Sequence, residues 1–202
     1  NALRLNWEDV VPKEKLDYIM GNPPFVGKKE RTPSQTNDLI SVIGLDIKGV
    51  GNLDYVTGLY VKAAEYMHGT DIVSAFVSTN SITQGEQPPI LWSRLFPLGV
   101  KILYAYRTFK WESEAKEKAA VHCVIIGFST NTVPHIATLY SDTSAVDVQN
   151  INPYLVDAPN ILVYSRSHPI CPVPEIVTGN QATDDGAFYL TQSEHDSFVE
   201  KY

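Results

Sequence analysis

Cysteine is scarce. The 202 residues contain two, Cys123 and Cys171. Two thiols cannot make a disulfide framework or a four-cysteine zinc site, and so few fit a reducing, cytoplasmic setting. Long hydrophobic runs are missing as well. No stretch of 18 apolar residues occurs, so no ordinary transmembrane helix and no membrane partner are expected, and no basic leader with an apolar segment behind it opens the sequence. Cations are short after residue 130. Residues 131–202 hold 2 Lys or Arg against 9 Asp or Glu, a difference of −7, whereas residues 1–130 hold 14 of each and sum to zero. A last third of this sign is a poor nonspecific partner for phosphate, but a neutral first part can still carry a local basic lip. With 44% hydrophobic and 19% charged residues, the chain can bury a core.

The pattern before residue 130 alternates strand-like and helix-like segments, which predicts a layered α/β sheet. Leu16 to Met20 is a short apolar run that suits a buried strand. Residues 26–53 read as a long polar loop with one helical turn. Asp54 is placed to cap a helix running to about His68, with Val56, Leu59, Tyr60, Ala63, Ala64 and Met67 on one face and Gly69 behind it. Further strands are predicted at Ile72 to Val77, Val100 to Tyr106 and Ala119 to Phe128. A helix opens at Pro88-Pro89 and ends at Pro97 and Gly99. Strands without clean alternation favour a sheet covered on both faces. After 130 come 6 of the 13 prolines, short β-like runs at His135 to Tyr140 and Ile161 to Tyr164, and no convincing amphipathic helix. A boundary near 130 is therefore expected, with a mostly β or irregular segment beyond it.

The sharpest chemical signal is Asn22-Pro23-Pro24-Phe25, directly after the first strand and Gly21. An asparagine side-chain oxygen and a neighbouring carbonyl can both accept from one NH₂ group. Pro23 stiffens the turn and offers no competing N–H. Pro24 keeps Pro23 extended, so that its carbonyl can face a pocket. Phe25 supplies a flat face for a planar amide or base. The set suits holding an amino or amide nitrogen while an electrophile approaches its lone pair. Lys28, Lys29 and Arg31 come next as a basic lip, whose placement suits nucleic-acid backbone phosphates or, equally, a solvated loop. Other candidates are weaker. Ser78, Thr79, Asn80 and Ser81 sit after a strand, where capping competes with pocket lining. His122 reads as a packed core histidine. Asn152-Pro153-Tyr154 lacks the second proline and reads as a plain turn. Glu114-Ala115-Lys116 lacks an upstream Pro-Asp, so nuclease chemistry is rejected for it.

Residues 17–25 (DYIMGNPPF) resemble the catalytic motif of class I amino-methyltransferases. The segments DYVTGLYVKAAEYM from Asp54, FVSTNSITQGEQ from Phe76, RTFKWESEAKEK from Arg107 and AVHCVIIGFS from Ala120 resemble successive blocks of MmeI-like type II restriction–modification enzymes, which fuse an N6-adenine DNA methyltransferase to a nuclease and a target-recognition domain. Residues 151–165 resemble the start of the region downstream of the methyltransferase in those enzymes.

The resemblance implies a partial Rossmann-like methyltransferase sheet, its catalytic half. Residues 1–130 would be the C-terminal part of an S-adenosylmethionine-dependent domain, and 131–202 a linker and the start of a target-recognition region. It further implies that Asn22 and the Pro23 carbonyl hold the amino group of an adenine flipped out of double-stranded DNA. Pro24 shapes the loop and Phe25 stacks on the base. Phe109 or Trp111 gives the second stacking face. Asn1 and Ala2, with Asn22, contact the cofactor. No metal is implied for methyl transfer. The family's glycine-rich cofactor loop is absent from residues 1–21, so the expectation is a fragment with an incomplete cofactor site and little activity alone. NPP-aromatic motifs also serve glutamine methyltransferases of translation release factors and RNA amino-methyltransferases, and a noncatalytic DNA-recognition segment is a third reading. The RTFKW and TQGEQ blocks favour DNA.

Overall fold

A computed structural model describes residues 1–111, 121–131, 136–174 and 190–201. They form two units, Asn1–Ser165 and Arg166–Tyr202.

In the first unit, β1 (Tyr18–Gly21), β2 (Val73–Thr79), β3 (Lys101–Trp111), β4 (Val121–Ser129), β5 (Ala137–Tyr140) and β6 (Ala145–Val148) make one sheet in the order β1-β2-β4-β3-β5-β6. β1 runs parallel to β2 and β3 parallel to β5. β4 is inserted antiparallel between β2 and β3, and β6 runs antiparallel to β5. This mixed α/β sheet agrees with the fold class read from the sequence.

The helices α1 (Pro33–Ile43), α2 (Thr57–Tyr66) and α3 (Gln87–Leu95) join one apolar core with the sheet. Tyr60 of α2 stacks on Phe128 of β4 with ring centroids 5.1 Å apart and meets Phe76 of β2 edge-on at 5.3 Å. Its buried hydroxyl bonds Ser78 at 2.8 Å. Burial pushes that hydroxyl far above the usual tyrosine value, against the smaller opposing effect of the Ser78 bond. Ser74 also faces α2, 3.2 Å from the Met67 sulfur. So Ser74, Phe76 and Ser78, at period two, define the core face of β2. The ladder then carries Ala75, Gly127 and Tyr104 to the other face. There the Tyr104 ring lies flat over Gly127, where an added Cβ would come within 2.3 Å of it.

Several expectations need correction. The LDYIM strand is not buried. Among the described residues β1 pairs only with β2, and its Tyr18 and Met20 are 65% and 77% exposed. The stretch 26–53 is not a long loop with one turn. Thr32 caps α1 through a reciprocal capping box with Gln35, Pro33 sits at its first turn, and Leu39 and Ile43 dock in the core. Asp54 is not the N-cap of α2. That position is Val56, which has no side-chain cap, and Asp54 stands two residues ahead. α3 forms as expected, closed by a short 3₁₀ turn and Gly99 at φ 79°.

The composition break at 130 is not a break in the sheet. β5 and β6 add two strands beyond it, and the first unit runs to Ser165, because Ala137, Leu139 and Val148 supply apolar side chains to the same core. Ile161 to Tyr164 forms no strand. His135 lies outside the described residues. Asn152-Pro153-Tyr154 is a turn, as expected: the buried Asn152 side chain accepts from Tyr154 N at 2.9 Å and Val156 N at 3.3 Å. In the second unit, α4 (Gln192–Lys201) is a helix that the sequence pattern does not announce. Its side chains are exposed throughout, so it shows no apolar stripe. Its signal is the reciprocal pair of Thr191, ahead of it, and Glu194, in its first turn.

Candidate active site

The parallel strands β1, β2 and β3 point their carboxyl ends the same way, and the candidate residues gather at that end, where open α/β sheets place their sites. Gly21, paired with Phe76, is the last residue of β1, and Asn22-Pro23-Pro24-Phe25 comes directly after it. Pro23 is buried, Asn22 and Pro24 are exposed and Phe25 is half-buried. The Asn22 side chain makes no hydrogen bond to any described residue, and the Phe25 ring stacks on no described ring. The exposed Asn22 amide, next to buried Pro23, is open to a partner from outside the chain.

Across the sheet, Thr79 pairs with Cys123 and Cys123 with Phe109. This puts Phe109 two strand spacings, about 10 Å, from the end of β2. Tyr106, Phe109 and Trp111 line the same face of β3. Tyr106 and Phe109 meet edge-on at 5.3 Å, and Phe109 and Trp111 lie tilted at 6.2 Å. A bulge between Tyr106 and Phe109 re-aims this row. Tyr106, Phe109, Lys110, Ile125 and Asp142 enclose a recess of about 430 Å³. The Tyr106 hydroxyl donates to Asp142 at 3.0 Å; that carboxylate, then burial, raise its pKa. Trp111 is 42% exposed and Phe109 half-buried. Residues 112–120, Glu114-Ala115-Lys116 included, lie outside the described residues.

The motif loop is pinned from behind. Val26, just after Phe25, donates its N–H to Asp54 Oδ1 at 3.1 Å, and its carbonyl accepts from Tyr55 N at 3.0 Å. Asp54 is 5% exposed. Tyr55 in turn belongs to a polar cluster. Asn1 Nδ2 donates to Asp38 Oδ2 at 2.8 Å and to the Tyr55 hydroxyl at 3.1 Å, while Asn1 Oδ1 accepts from Leu3 N at 3.0 Å. Arg4 Nε donates to Asp38 Oδ1 at 2.7 Å. The Arg4 bond holds the Asp38 carboxyl below its usual range, with burial opposing.

The basic lip divides. The guanidinium of Arg31 donates to the carbonyls of Leu53 and Gly51 and to Thr36 Oγ1. Burial lowers its pKa, with Asp54 opposing. Arg31, expected as a DNA contact, is thus a brace whose fork is committed to its own chain. Lys28 Nζ reaches Asn52 Oδ1 at 2.8 Å and remains exposed, as does Lys29. Asn1 and Ala2 are engaged as well: the Asn1 amide bonds Asp38 and Tyr55, and the Ala2 carbonyl accepts from Trp7 Nε1 at 2.9 Å. His122 is not a core residue but lies exposed at the start of β4, next to exposed Val121. Ser78 is in the core with Tyr60, and Thr79 Oγ1 bonds Ser81 Oγ at 2.5 Å. The roles of Asp38, Asp54 and Tyr55 are not visible in the sequence pattern. Asp54 carries a signal, a lone acid ahead of a helix, but that signal suggests a cap.

The sequence profile of the MmeI DNA-methyltransferase domain matches residues 1–141. The chain is 40% identical, over 204 aligned positions, to DNA methyltransferase A of Bacillus subtilis (strain 168), covering all of this chain and 23% of that protein. It is 46% identical to the type IIL restriction–modification enzyme MmeI, solved in complex with DNA; the TM-score is 0.89, over all of this chain and 28% of that one. It therefore spans about a quarter of the length of these relatives. With more than half of its residues matched by that profile, the chain belongs to the MmeI DNA-methyltransferase domain family.

Proposed function

We propose that this chain carries the methyl-acceptor side of a DNA adenine-N6 methyltransferase of a type II restriction–modification protein. The observation that carries this reading is the exposed Asn22 side chain, bonded to none of the described residues, beside buried Pro23 and just past the end of a parallel strand. Asn22 Oδ1 and the Pro23 carbonyl accept the two hydrogens of the adenine amino group and turn its lone pair outward. Pro24 keeps the loop extended. Phe25 takes one face of the flipped base, and the row at the end of β3 takes the other. Trp111, the more exposed ring, is better placed to stack than Phe109, which already packs against Tyr106 and Trp111. Lys28 and Lys29 meet backbone phosphates of double-stranded DNA; MmeI is solved in complex with DNA.

S-adenosylmethionine supplies the electrophilic methyl group when bound. The free Asn22 amide fits a role beside that donor. Asn1 and Ala2 fit less well, because the groups they would offer are already used within the chain. We assign them to bracing.

The test is nucleoside analysis of DNA incubated with the intact protein and S-adenosylmethionine. N6-methyladenine is the expected product. Methylation confined to cytosine, to RNA or to glutamine side chains would overturn the reading.

A further inference from the structure

We infer that Asp54 is the positioning residue of the Asn22-Pro23-Pro24-Phe25 loop, holding Asn22 and Phe25 at the reacting distance without touching the base itself. The inference rests on the proposed methyl-acceptor function. Asp54 is a buried carboxylate two residues ahead of the N-cap of α2. Its Oδ1 accepts two backbone donors, Val56 N at 3.1 Å at the entrance of that helix and, 28 positions away in sequence, Val26 N at 3.1 Å. Tyr55 N closes the pair by donating to the Val26 carbonyl at 3.0 Å. Both backbone groups of the residue after Phe25 are therefore tied to consecutive residues at the entrance of α2.

The other end of the loop is tied at Gly21 by the β1–β2 ladder. The four motif residues thus hang between two fixed points. Asp54 is fixed in its turn. Its N–H donates to Gln87 Oε1 at 2.8 Å, at the start of α3, and Thr79 Oγ1 at the end of β2 lies 3.5 Å from Oδ2. One residue therefore sets the motif loop relative to β2, α2 and α3, its side chain reaching Val26, Val56 and Thr79 and its N–H reaching Gln87. What the geometry asks of it is an acceptor oxygen at one place, not a charge.

The test uses the intact protein and compares Asp54→Ala, Asp54→Asn and Asp54→Glu, with Asn22→Ala as the inactive reference. Single-turnover methylation is measured alongside the fluorescence of 2-aminopurine at the target position. Loss of the tie shifts the loop by a fraction of an ångström to an ångström, so Asp54→Ala should slow methyl transfer by about a hundredfold, with DNA affinity little changed. Asp54→Asn keeps an acceptor in place and should remain within about fivefold of the wild type, the cost of one weaker hydrogen bond. Asp54→Glu keeps the charge but moves the oxygen, and should fall well below Asp54→Asn. That order, which also decides the matter if Asp54→Ala fails to fold, supports positioning. A rate for Asp54→Ala within threefold of the wild type, or Asp54→Asn no better than Asp54→Glu, overturns the inference while leaving the proposed function standing if Asn22→Ala is inactive. A wild type that leaves adenine unmethylated overturns both.

Discussion

Asn22 owes its freedom to its neighbours: Pro23 has no N–H to offer it, and Val26 behind it is already tied to Asp54 and Tyr55. Phe25 is half-buried, and none of the described rings packs against it. Phe25→Ala should therefore weaken trapping of a flipped base by about 1–3 kcal/mol, the worth of one stacked face, with little effect on cofactor affinity. The check is the 2-aminopurine emission rise on binding, which should shrink; an unchanged rise would make Phe25 a packing residue only.

Asp38 tests the network behind the loop. Its carboxyl is held low chiefly by Arg4, so its folded value lies below its unfolded value. Such a group stabilises the fold above the unfolded value, about 3.9 for aspartate, and the contribution is lost as pH falls through that value toward the folded one. Wild type should thus lose more stability than Asp38→Asn between about pH 6 and pH 3. Parallel acid-unfolding curves would contradict the assignment.

Among the elements, β4 shows how sequence dictates packing. Gly127 is the position over which the Tyr104 ring lies. Gly127→Ala should cost about 1–3 kcal/mol by overpacking, read as a lower denaturant midpoint. An unchanged midpoint would mean that the ring moves aside freely. The strands β2, β3 and β4, and the helices α2 and α3, are legible in the sequence because long apolar runs or a 3.6-residue stripe mark them. α1 is not, although Thr32, Pro33 and Gln35 spell its start. Its polar surroundings hide a stripe that rests on Leu39 and Ile43. β6 escapes notice because three of its four residues are exposed, and α4 because its start is marked by a cap and not by a face. The burial expected of β1 fails for a different reason: an apolar run reports what can be buried, not what covers it.

For the whole molecule, the charge break at 130 is real as composition but not as architecture, since sheets are bounded by pairing and not by net charge. The motif is legible because its residues are consecutive. Asp54, Tyr55 and Asp38 are not, because the contacts that give them roles, to Val26, Asn1 and Arg4, are long-range. The basic lip is where charge and function meet. Removing two phosphate contacts with Lys28→Gln and Lys29→Gln should lower the slope of log affinity against log salt by about 2. Arg31→Gln should instead lower the thermal midpoint and leave that slope alone, because its donors serve Gly51, Leu53 and Thr36. A reduced slope for Arg31→Gln would restore it to the DNA interface.

If Asn22 acts on the nucleophilic nitrogen, its loss must be felt in single-turnover methyl transfer to duplex DNA by the intact protein, measured for Asn22→Ala with cofactor affinity in parallel. Asn22→Ala should lose about 3 kcal/mol in the chemical step, a hundredfold or more in rate, as for removal of one positioned polar partner, with cofactor binding spared. Methylation by Asn22→Ala at a near-normal rate would contradict that role of Asn22.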